Sequence, residues 1–243
     1  MSVDNSSHQV ARAARGLVRS ALKGALATLD HRDPSQPYVS LVLVATEPDG
    51  TPVTLISNLA VHTRNLERDT RASLLIDGTE GLDDPLTGPR LSLTGRAAPT
   101  ASPSALPRFL ARHPAAEAYA GFPDFRPFAL EVTGAHFIGG FGRIVDLSPR
   151  VLATDTSGAE SLVAGEADLR FELNTQYAAA IDAFAGSRME GAVAAWRISG
   201  LDPEGADLLH RNSARRLEFD HRVTTPAAAR AALQATLQAG NRS

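Results

Sequence analysis

The 243-residue sequence predicts an α+β protein, with an antiparallel β-barrel and flanking helices over residues 1–147, a linker over 148–169 and a small α+β domain over 170–243. Three observations carry this reading. Strand-forming runs outnumber helical ones in the first part and adjoin one another, which suits an antiparallel sheet better than alternating βαβ units. After Asp146 the composition turns to Ser, Thr, Gly and Asp with weak periodicity, as in a linker. Beyond residue 170 helical and strand patterns return.

Each element has its own signal. Val10, Ala14, Leu17, Val18, Ala21 and Leu22 recur at helical spacing with arginines between them, so residues 8–23 form an amphipathic helix. The run ALATLD after Gly24 starts a sheet, and residues 38–46 (YVSLVLVAT) are rich in β-branched and apolar types. Pro48-Asp49-Gly50 supplies turn chemistry, which pairs residues 38–46 with 52–57 as a hairpin. A short polar helix at 58–69, a strand at 72–77, a loop at 80–89 and a strand at 90–97 follow. The helical stretch 104–119 contains Pro107 and Pro114, each expected to break it. Residues 128–138 alternate as a long strand, finished by Gly139, Gly140 and Gly142. The second domain shows a helix around 174–185, strands around 192–198 and 214–219, and a last helix that starts at Thr225-Pro226 and stops at Gly240.

Composition excludes several classes. A net charge of -3 gives no electrostatic footprint for nucleic acid. No run approaches the roughly 20 apolar residues of a membrane span, and the N-terminus lacks the apolar core of a secretory signal, so the expectation is a cytoplasmic protein without membrane contact. The absence of cysteine removes disulfides, thiolate nucleophiles and cysteine-ligated metals. A metal would need His, Asp or Glu; no local motif provides one, and none is expected.

Two segments carry candidate chemistry. Residues 57–65 (SNLAVHTRN) place a hydroxyl at a strand end and then an imidazole, a hydroxyl, a guanidinium and an amide at a helix start. Free helix-start N–H groups beside an arginine make a phosphate seat; a capped surface helix explains the same residues. In residues 134–143 (GAHFIGGFGR) the spacing is not G-x-G-x-x-G and no helix follows, which removes a dinucleotide loop. The glycines then mark either a β-bulge or a close approach by a backbone or flat ligand. His136, on the strand, reads as an ordinary core or surface residue, and Tyr177 and Trp196 as packing residues. No G-x-S-x-G elbow supports a hydrolase.

The order of the pieces is more specific than any of them. The hairpin, Ser57, residues 62–77 (HTRNLERDTRASLLID), 84–97 (DPLTGPRLSLTGRA), 111–125 (ARHPAAEAYAGFPDF) and 136–143 (HFIGGFGR) together resemble the pyridoxamine 5'-phosphate oxidase-like superfamily, in particular its haem-utilisation branch. Residues 170–243, with SGLDPEGADLL at 199–209, resemble the small C-terminal domain of that branch. The resemblance implies a six-stranded FMN-binding split barrel that forms a homodimer, with the flavin phosphate seated by Ser57, Thr63 and Arg64, and Asn65 as a neighbour. It further implies a flavin-dependent oxidoreductase acting on a small-molecule substrate, and as the alternative a haem-binding or haem-degrading protein without flavin. A non-catalytic dimeric binding module is the third reading. Arg143 is the implied anion contact for a haem propionate. Where relatives of the C-terminal domain carry a histidine after the helix Asn, this chain has Tyr177, with His210 and His221 as possible substitutes.

Overall fold

The computed structural model describes residues 2–140, 143–186 and 195–240. The chain divides into two compact units, residues 1–153 and 154–243. Unit 1 contains α1 (Ser2–Ser20), β1 (Lys23–Leu29), β2 (Pro37–Leu43), β3 (Ala45–Thr46), β4 (Pro52–Ser57), α2 (Val61–Arg68), β5 (Arg71–Asp77), β6 (Pro89–Pro99), α3 (Ala105–Arg112), α4 (Glu117–Ala120), β7 (Phe125–Gly139), β8 (Ile144–Leu147) and α5 (Pro149–Leu152). Its single antiparallel sheet runs β2-β1-β5-β6-β7-β4-β3, with β8 added to β7. This is the antiparallel split barrel with flanking helices that the sequence predicts. The six long strands expected from the resemblance are present, and the short β3 and β8 are additions at the margins.

The long β7 closes the barrel because its two halves serve different neighbours. Its first residues pair with β4 (Ser57 opposite Phe125), its last with β8 (His136 opposite Asp146), and β6 runs along its other edge. A register shift at Thr94/Gly95 bends this ribbon, and a Cβ on Gly95 would stand 2.0 Å from the Glu131 carbonyl oxygen, so only glycine allows the approach. Alternation sends Leu26, Leu74, Ile76, Leu91, Leu93, Phe128, Leu130 and Phe137 inward. Val10, Ala14, Val18 and Ala21 of α1 cover that core, as their helical spacing predicts.

Three readings of unit 1 need correction. Residues 38–46 do not form one hairpin arm with 52–57. β2 pairs with β1, and only Ala45–Thr46 pairs with β4, because the chain breaks at Val44 and crosses from one margin of the sheet to the other. Pro107 does not interrupt α3; it lies in the first turn, where no intrahelical N–H is required, and only Pro114 ends the helix. Gly139 and Gly140 end β7 in a turn, not a bulge. Gly140 has φ +100° and Gly139 N–H donates to the Arg143 carbonyl at 2.9 Å, while Gly142 lies outside the described residues.

Buried polar groups tie the helices to the barrel rim. Arg19, 3% exposed, donates to the carbonyls of Glu47 and Pro48 at 2.8 and 2.6 Å. Arg108 donates to the Thr46 carbonyl at 2.6 Å. His113 hydrogen-bonds the Val44 carbonyl through Nε2 at 2.8 Å. Burial first, and the neighbouring Arg112 second, pull the His113 pKa down from 6.5 to about 4, against the Val44 hydrogen bond. The unfolded chain therefore binds a proton that the folded state refuses, so this contribution is complete above about pH 6.5 and is lost as pH falls toward about 4. Between about pH 7 and about pH 5 His113 is expected to account for about 2 kcal/mol of lost stability. Urea midpoints of wild type and His113→Gln at both pH values check this; equal pH slopes for the two would refute it.

Unit 2 holds α6 (Glu160–Ala164), α7 (Glu166–Gln176), α8 (Ala178–Gly186), β9 (Arg197–Asp202), β10 (Gly205–His210), β11 (Ser213–Glu218) and α9 (Pro226–Gly240), with strand order β11-β10-β9. Much of the segment expected as linker is helical, and its Leu162 and Leu169 belong to the core of this unit. The weak periodicity misled because α6 spans only five residues and contributes one buried leucine. β10 was not anticipated; residues 202–205 turn the chain from β9 into it. Part of the strand expected at 192–198 lies outside the described residues, and Thr225 caps α9 as predicted, its Oγ1 accepting from Ala228 N–H at 3.2 Å. Asn174 Oδ1 accepts from Ile198 N–H at 2.7 Å and its Nδ2 donates to the Ile198 carbonyl at 2.9 Å, occupying the open edge of β9.

Candidate functional site

The corner between β4 and α2 gathers Ser57, Thr63, Arg64 and Asn65, yet the fold uses most of their polar atoms. Asn65 is fully buried: Nδ2 donates to Thr28 Oγ1 at 2.9 Å, and Oδ1 accepts from His31 N–H at 2.8 Å and meets His31 Nδ1 at 2.8 Å. Thr63, also fully buried, donates its hydroxyl to the Ser57 carbonyl at 2.6 Å. Ser57 Oγ donates to Asp124 Oδ2 at 2.5 Å and accepts from Leu59 N–H at 3.1 Å. A carboxylate therefore stands where a phosphate would meet Ser57, which repels a dianion. Arg64 is exposed and is the cation best placed to meet a ligand here. Next to it, His62 Nδ1 meets Ser40 Oγ at 3.0 Å, and burial lowers its pKa, keeping the ring neutral.

Arg143 does not join this corner. It follows the C-terminal end of the 15-residue β7, whereas Ser57 pairs with the N-terminal end of that strand. In unit 2, His210 packs its ring on Trp196 at 5.4 Å, Tyr177 packs against the core and His221 is exposed. Tyr177 and Trp196 are thus packing residues, as read from the sequence. Among the described residues no group of three or more His, Asp or Glu is arranged to hold a metal.

The barrel core of unit 1 is packed with apolar side chains. One cavity, lined by Val42, Thr54, Phe128 and Leu130 among others, has about 20 Å³ of free space, room for a water-sized guest. The outer face of the sheet carries exposed apolar side chains. There Val39, Leu41 and Leu43 of β2 and Leu75 of β5 are 38–71% exposed. Leu41 and Leu75 flank Ala25 in one cross-strand row, making an apolar band. The row continues through Ser92 of β6 and His136 of β7 to Asp146 of β8. At one end of the same face stand Lys23 and Arg90, with Asp77 opposite Arg90 as the counter-charge, whereas Arg143 stands opposite Gly139, on the side of the strand that Phe137 takes. His136 was read from sequence as an ordinary residue. Alternation left it inward or outward; the structure turns it outward, 45% exposed, and the Asp146 partner arrives only by strand pairing.

The CREG β-barrel family model matches residues 5–150, more than half of the chain. The chain belongs to this family. The assignment bears out the split-barrel resemblance read from residues 57–143. A solved structure of Atu2129 from Agrobacterium tumefaciens, of unknown function, is 34% identical with a TM-score of 0.80, over 95% of this chain and 94% of that one. The heme binding protein from Mycobacterium smegmatis is 26% identical with a TM-score of 0.56, over 96% of this chain and 98% of that one. The "Non-canonical heme oxygenase HOZ" of Arabidopsis thaliana chloroplasts is 30% identical over 131 residues. That match takes in 52% of this chain and 39% of the relative, so the chain spans about two fifths of its length. Among the described residues no helix is long and apolar enough to cross a membrane.

Proposed function

We propose that this chain is a haem-binding split-barrel protein that carries haem on the outer face of its sheet. The observation that carries the reading is the apolar band of Val39, Leu41, Leu43 and Leu75, edged on one side by Lys23 and Arg90. Contiguous exposed apolar surface marks an interaction site, and a flat hydrophobic ligand with two carboxylates needs such a surface with cations at one side. Lys23 and Arg90 would take the anion-contact part that the resemblance implied for Arg143. When bound, haem would supply one-electron and oxygen chemistry; these residues would bind and orient it. Heme binding by the Mycobacterium smegmatis protein and the name of the Arabidopsis relative support the reading.

The second reading is FMN with its phosphate at Arg64 and Ser57. The strand-to-helix corner and the exposed Arg64 favour it, and the Ser57–Asp124 contact opposes it. Haemin titration of the purified protein is expected to give a saturating Soret band at one haem per chain, weakened at least about tenfold in Leu41→Glu because a charge replaces apolar contact. A flavin spectrum released on denaturation, with no Soret band on adding haemin, would replace the haem reading with the second.

A further inference from the structure

We infer that His136 is the axial iron ligand of that haem and that Asp146 is its positioning residue, an inference that rests on the haem reading above. His136 Nδ1 lies 2.7 Å from Asp146 Oδ1, across the β7–β8 pair. With Nδ1–H donated to the carboxylate, the proton is fixed there and Nε2 keeps its lone pair, the form an imidazole needs to ligate iron. The other ring nitrogen has no protein partner among the described residues, and the side chain is 45% exposed.

The surroundings fit the same role. Across the sheet from His136 are Ser92 and, one step further along β6, Thr94, while Gly134 precedes it on its own face. These short side chains leave the imidazole standing above its neighbours. A Cβ on Gly134 would meet only Thr94 Oγ1, at 3.1 Å. Leu75 follows Ser92 in the same row, two strand spacings or about 10 Å from His136. Arg90 pairs with Ile138, one step along the face toward the cationic end. Iron donor, apolar contact and carboxylate partners thus share one surface.

The other histidines whose side chains are described lack this combination. His113 is bonded to the Val44 carbonyl, His31 to Asn65 and His62 to Ser40, while His210 is stacked on Trp196. His221 is exposed in unit 2, with no carboxylate bonded to its ring among the described residues.

The test is haemin titration of wild type, His136→Ala and Asp146→Asn, followed by absorption, electron paramagnetic resonance and resonance Raman spectra. The mutated side chains are 45% and 88% exposed, and circular dichroism checks that each variant folds. His136→Ala is expected to lower haemin affinity by at least about tenfold and to shift the Soret band, with added imidazole restoring the wild-type spectrum. Asp146→Asn should keep the haem but lower the iron–histidine stretching frequency of the ferrous form, a change that loss of a merely structural contact would not produce. If wild type and His136→Ala bind haemin with the same affinity and spectrum, the ligand assignment is overturned while the haem reading stands. If wild type itself takes up no haemin, both fall.

Discussion

Replacing Arg216 with methionine is expected to cost about 4 kcal/mol and to unfold the C-terminal unit first. Arg216 NH1 reaches Asp202 Oδ2 at 2.7 Å and Asp207 Oδ1 at 2.9 Å, with the three side chains 8, 0 and 3% exposed. Within the low-dielectric core the arginine is the charge that makes two neighbouring carboxylates tolerable, and these carboxylates in turn hold its pKa well above the usual range despite burial. Methionine keeps much of the volume and leaves two buried anions facing each other, the situation in which breaking a buried pair costs most. The single tryptophan, Trp196, is 3% exposed in the core of the same unit, so its fluorescence during denaturation reports this transition. Changing Asp202 and Asp207 to Asn alongside Arg216→Met should recover much of the loss. A loss below about 1 kcal/mol in the single variant would show that water already screens the cluster.

Asn65→Ala is expected to cost about 3 kcal/mol in unit 1, because it strips a fully buried amide from three hydrogen bonds at once. The alanine leaves His31 N–H without its acceptor and Thr28 Oγ1 without its donor, and both lie where the β1–β2 turn meets α2. Circular-dichroism melting measures the loss. The result also separates two roles for the residue. A phosphate contact would reduce cofactor affinity and spare the melting temperature, whereas the clamp described here reduces stability with or without cofactor. An unchanged melting temperature would therefore return Asn65 to the ligand.

The barrel was legible because its cause is local. Strands such as Leu91-Ser92-Leu93 and Leu74-Leu75-Ile76 alternate between core and surface, and alternation is written in consecutive residues. The opening helix and the Thr225 cap were legible for the same reason, since caps and apolar stripes act within one or two turns. Pairing was less so. The turn at residues 48–50 was recognised, but the partner of β2 is decided by which edge remains open after β1 and β5 associate. Nothing within residues 38–46 states that.

The candidate sites show the same limit. Sequence placed Ser57, Thr63, Arg64 and Asn65 together, since they lie within nine residues, and it recognised types suited to an anion. It could not show that Thr63 and Asn65 are spent on Ser57, Thr28 and His31, because a buried polar group takes whatever partner the packing provides. His136 and Asp146 were each visible as residues, ten positions apart, and only the β7–β8 register makes them a pair.

By itself the sequence determined the fold class and the exclusion of cysteine chemistry, both of which follow from composition or from short-range periodicity. Tertiary structure alone decided which strand meets which, that the interior is filled, that the exposed leucines of β2 and β5 form one band, and that a carboxylate faces Ser57. Those facts depend on contacts between residues far apart in the chain, whose free energy appears only when the backbone has closed around them.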